Sequence, residues 1–93
     1  MITLQSRVTL SDDVLVQEVE DEAVLLDLKS EQYFGLDTVG VHLWRALESD
    51  PSLESAHRHL LGIFEVESGR LENDLIALLS DLEKAGLVQA EAA

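Results

Sequence analysis

The sequence predicts an α+β domain, a three-stranded antiparallel sheet followed by three helices, and three observations carry that reading. Val14 to Val19, Val24 to Leu28 and Gln32 to Leu36 are short runs of β-branched, aliphatic and aromatic residues separated by polar links. From Val39 to Leu82 the apolar residues recur instead at helical spacing. The 93 residues suffice for one domain with one core, and two or three short strands are not stable alone in water. Sheet and helices must therefore share that core, leaving the other strand face and one sheet edge open.

Residues 1–13 mix apolar and polar positions without a sustained period and read as an N-terminal arm, extended or loosely paired. Glu20-Asp21-Glu22 separates the first two runs as a hairpin turn does, and Lys29-Ser30-Glu31 has the length and chemistry of the next tight connection. Alternation along the third strand puts Phe34 and Leu36 on the core face and Tyr33 and Gly35 on the other. Asp37 can cap a helix over about residues 38–48, whose Val39, Leu43, Trp44, Ala46 and Leu47 form one broad inward face. Pro51 forbids its continuation. Asp50 or Ser52 caps a second helix that ends near Phe64, with Leu53, Ala56, Leu60, Leu61 and Phe64 inward and His57, Arg58 and His59 mostly outside. After a polar connection from Glu65 to Gly69, Leu71, Leu75, Leu78, Leu79 and Leu82 mark a third helix closed by Gly86, with Leu87 and Val88 folding back beneath it. Residues 89–93 form a small polar tail expected to fray.

Composition narrows the function. With no cysteine, thiolate nucleophiles, disulfides and Cys-based metal sites are excluded, which fits a reducing compartment. No signal-peptide pattern or membrane-length apolar run is present, so the sequence predicts a cytoplasmic protein. Nineteen acidic residues against six basic ones give a net charge of -13, and the basic residues are scattered singly. No stripe exists to displace counterions from phosphates, so nucleic acid is not an expected partner. The acidic surface either steers a basic partner or simply confers solubility.

No catalytic or metal set assembles along the chain. His57 and His59 lie about 200° apart on a helix and cannot converge on one ion. Glu18, Glu20, Asp21 and Glu22 read as a solvated turn rather than an acid/base pair, which needs a cleft to part its pKa values. The sequence therefore predicts neither enzyme activity nor a cofactor. Gly35 within a strand implies a bulge, a close backbone approach or a merely tolerated glycine, while Gly40 in the first helical turn implies tight packing on the sheet. The apolar arc of the third helix, from Leu78 through Leu75, Leu71 and Leu82 to Ile76, is wider than one packing seam needs. It either lines a groove or is wrapped in core.

The string VLLDLKSEQYFGLDTVGVHLW, together with Asp74, Leu79, Leu82 and the Ala85-Gly86-Leu87 end, resembles the PqqD-like family of peptide-recognition domains over about residues 14–88. The resemblance implies a winged helix-turn-helix-like fold and a non-catalytic adaptor. Such an adaptor binds the leader of a ribosomally synthesised, post-translationally modified peptide and delivers the precursor to a leader peptidase or modifying enzyme. It also implies the binding mode, in which the leader adds as a strand beside the third strand and rests against the third helix. By position, the residues that would hold it are Gln32, Tyr33, Phe34, Gly35 and Leu36 on the strand, with Asp74, Ala77, Leu78 and Asp81 on the helix. Asp37 stands where the family often has Asn, and the second half of the second helix lacks the usual apolar-acidic pattern. Stand-alone members serve lasso-peptide biosynthesis, which this sequence resembles slightly more, or act as peptide chaperones in pyrroloquinoline quinone maturation beside a radical enzyme. A helix-turn-helix transcriptional regulator is the alternative from another class, and the net charge argues against it.

Overall fold

The computed structural model describes residues 2–92. Strands β1 (Arg7–Leu10), β2 (Val14–Val19), β3 (Glu22–Asp27) and β4 (Tyr33–Leu36) precede helices α1 (Thr38–Ser49), α2 (Leu53–Leu61) and α3 (Ser68–Lys84), and β5 (Val88–Glu91) ends the chain. The predicted sheet is antiparallel β2-β3-β4, with Leu15 opposite Leu26 and Val24 opposite Gly35. Its first hairpin turns on Glu20 and Asp21, with Glu20 in the left-handed region at φ 58°. The second is tied by Asp27, whose carboxylate accepts from the Lys29 amide and the Ser30 hydroxyl, both at 3.0 Å. These bonds favour the ionised form and hold the Asp27 carboxyl below its usual range.

The helices obey their sequence signals. Asp37 caps α1 by accepting from the Gly40 amide at 2.9 Å, and Ser52 caps α2 by accepting from Ser55 at 3.2 Å. A Cβ on Gly40 would meet the Leu36 side chain at 3.1 Å, so α1 does start tightly against β4. At the end of α3, Gly86 adopts φ 79°, the Leu87 amide donates to the Leu82 carbonyl and the Gly86 amide donates to the Glu83 carbonyl. That paired bonding is a Schellman closure, available because glycine carries no Cβ penalty there. Leu25, Leu43, Leu53, Leu60, Leu75, Leu79 and Leu82 are fully buried in one core, which Trp44 joins and against which Phe34 and Phe64 pack.

Three expectations are corrected. The tail does not fray from Gln89: β5 pairs with β1, Arg7 opposite Glu91 and Leu10 opposite Val88, while Ala93 lies outside the described residues. The arm is fixed on its other side too, because Val8 donates to the Pro51 carbonyl at 2.8 Å and Leu53 donates to that of Ser6 at 3.2 Å. Val8 is consequently fully buried; Met1 lies outside the described residues. Second, α2 stops at Leu61, since Gly62 favours leaving the helix, and Phe64 reaches the core from a turn. Third, His57 is buried rather than outside. Its position is four residues after Leu53 and three before Leu60, on the inward face, and its Nε2–H donates to the Ser68 carbonyl at 2.9 Å.

Candidate functional site

Among the described residues strand β4 pairs with β3 alone, so its second edge is free. The Asp27 amide donates to the Gln32 carbonyl at 2.9 Å, and this fixes the phase of the strand. Backbone groups alternate sides, so Phe34 and Leu36 use theirs on β3, while those of Tyr33 and Gly35 point outward unpaired. Side chains alternate in the perpendicular sense. Leu36 is buried and Phe34 half-buried beneath the sheet, whereas Tyr33 is 73% exposed on the opposite face. Among the described residues nothing lies within 4 Å of a Cβ built on Gly35, and the strand is regular there rather than bulged.

Beside this edge opens a groove of about 540 Å³. One wall is Gly35 and Leu36; the other is α3 from its first turns to its middle, contributing Leu71, Asp74, Leu75 and Leu78. Val39 of α1 and the link residues Phe64, Glu65 and Val66 between α2 and α3 close it. The lining is mainly apolar, rimmed by the carboxylates of Asp37, Glu65 and Asp74. None of the three forms an ion pair among the described residues. An apolar trough with an acidic rim, alongside unpaired backbone donors and acceptors, is suited to an extended peptide with apolar side chains and basic flanks.

Of the residues the sequence points to, Gly35, Leu36, Asp74 and Leu78 come together in this groove. Tyr33 is on the same strand but presents its backbone to the free edge and its ring to the far face; Phe34 supports the strand from below. Gln32 lies just before the strand, its carbonyl accepting from the Asp27 amide, and Ala77 and Asp81 sit exposed on α3 without lining the groove. Asp37, Val39, Phe64, Glu65, Val66, Leu71 and Leu75 are the lining residues that the sequence reading did not assign to the site. The histidines do not converge: His42 meets Phe64 edge-on with ring centres 5.3 Å apart, His57 is tied to Ser68, and His59 is exposed. Among the described residues no three His, Asp or Glu side chains are grouped to hold a metal, and no helix is long and apolar enough to cross a membrane.

Comparison with known proteins meets this geometry from another direction. The family model described as coenzyme PQQ synthesis protein D (PqqD) matches residues 22–88. A solved structure of TbiB1 in complex with the TbiA(beta) leader peptide superposes with a TM-score of 0.81 at 33% identity, covering 90% of this chain and 98% of that one. Lasso peptide synthetase B1 complexed with the leader peptide superposes with a TM-score of 0.78 at 25% identity, covering 89% and 98%. Comparison with curated proteins gives no match. With a family match over most of its length and a relative a third identical across nine-tenths of it, this chain belongs to the PqqD family.

Proposed function

We propose that this protein is a non-catalytic adaptor that binds the leader of a precursor peptide and delivers the precursor to a leader peptidase or modifying enzyme in lasso peptide biosynthesis. The observation that carries the proposal is the free β4 edge lying along a groove walled by α3. Two relatives of the same fold are complexed with leader peptides, which supports the same use of that groove here. The leader extends the sheet by one strand: its backbone bonds to Tyr33 and Gly35, and its alternate side chains enter the trough over Leu71, Leu75 and Leu78. The acidic rim selects basic residues beside those apolar anchors. The likeness to a lasso peptide synthetase component favours a lasso precursor over a pyrroloquinoline quinone precursor. Calorimetry with synthetic leaders of both kinds, on the wild-type domain and on Leu78→Arg, tests the reading. Leu78→Arg places a charged chain in the apolar trough and should weaken leader binding by more than about tenfold. Undiminished affinity would remove the groove from the binding site.

A further inference from the structure

The sheet's far face is largely apolar, with Gln17 and Glu22 its polar members, and no described residue covers it. Leu15 and Val19 of β2, Val24 of β3 and Tyr33 of β4 alternate onto this face at 56%, 59%, 37% and 73% exposure, and Leu28, at 49%, continues the alternation just past β3. These are five of the seven large apolar side chains exposed among the described residues. The helices cover the opposite face, through Ala23, Leu25 and Leu36. An exposed apolar patch of this concentration marks a contact surface.

Its rim is acidic. Glu20, Asp21 and Glu22 stand at one end and Glu31 at the other, where the nearby Lys29 is paired with Asp13 at 3.2 Å. A second copy would set the same acidic rim against this one, with a charge of -13 on each chain. Nor does the area suit a dimer. Three strands of this length present about 300 Å² in plan, so two such faces bury roughly 600 Å², well short of the roughly 1,200 Å² where stable interfaces begin. A larger, different protein can add the adjoining edge and the leader itself, whose outward side chains would lie in the same plane beside Tyr33 and Gly35.

We propose that this far face docks the enzyme that receives the precursor, through a surface of that enzyme with an apolar centre and a basic rim. The inference rests on the adaptor reading above. It makes the docking surface composite, part sheet and part bound leader, so that the loaded adaptor is engaged in preference to the empty one. The test uses the whole domain, a precursor carrying its leader, and the leader peptidase that acts on that precursor, with leader removal followed by mass spectrometry. The double variant Leu15→Thr, Val19→Thr keeps strand-forming residues on β2, remote from the β4 edge, and its leader affinity reports that it is folded. Leader affinity should stay within about twofold of wild type, while leader removal at subsaturating domain should slow by about tenfold or more. Unchanged leader removal with intact leader affinity would overturn the docking face alone. Failure of the wild-type domain to bind the leader would overturn the adaptor reading and this inference together. A wild-type dimer that the double variant abolishes would assign the face to a second copy and overturn the proposal.

Discussion

At the scale of single residues, the β3–β4 turn is held by one carboxylate. Asp27 accepts from the Lys29 amide and the Ser30 hydroxyl, and both bonds lower its pKa from the ordinary 3.8. A carboxylate depressed in the folded state stabilises that state when ionised. Its contribution is complete above pH 3.8 and disappears as pH falls through the lower folded value. An NMR titration of the Asp27 carboxyl should therefore give a midpoint under 3.8, and the stability deficit of Asp27→Asn should shrink as pH drops below it. A midpoint at or above 3.8 would mean that the turn does not depend on this charge. The consequence reaches the site, because the same turn sets the register that directs Tyr33 and Gly35 to the free edge.

At the scale of elements, the chain ends form a structural unit with β1 held between β5 and the link around Pro51. Ending the chain after Leu87 would remove buried Val88 and leave β1 held only by the link around Pro51. Each lost kcal/mol lowers the midpoint of a domain this size by about 4–8 °C, so truncation should lower Tm by at least about 5 °C. A thermal melt that does not move would show the β1–β5 ribbon to be dispensable. This ribbon was also the least legible part of the sequence. β2 to β4 and the three helices announce themselves by local period, whereas β1 and β5 are four-residue strands whose pairing joins opposite ends of the chain. His57 shows a different gap: its spacing from Leu53 and Leu60 was inward, but its polarity suggested solvent until the Ser68 carbonyl supplied a partner. In the groove, Gly35, Leu36, Asp74 and Leu78 could be named because the family resemblance carries them over by position, onto a strand and a helix that local period places. Glu65 and Val66 could not, because they read only as part of a polar connection, where no period says which way a side chain points.

For the whole molecule, the proposed adaptor role makes charge the steering force in encounter. A net -13 with an acidic groove rim attracts a basic leader from a distance, and salt screens that attraction over about 10 Å at 0.1 M. Association of a basic leader should slow as salt rises, while dissociation changes little. Asp81→Arg, on the exposed flank of α3 beyond the groove, should slow association at low salt and converge on wild type at high salt. Stopped-flow rates independent of salt would remove steering from the account.

The central claim is that the leader becomes the next strand of the sheet. Amide hydrogen exchange resolved by residue tests it most directly, because β4 contains its own control. In the free protein Phe34 and Leu36 bond to β3 and should exchange slowly, while Tyr33 and Gly35 face the open edge and should exchange fast. Saturating leader should slow Tyr33 and Gly35 by about tenfold or more and leave the alternation with Phe34 and Leu36 erased. If Tyr33 and Gly35 continue to exchange at their free rates with leader fully bound, the peptide does not pair with β4 and the account is wrong.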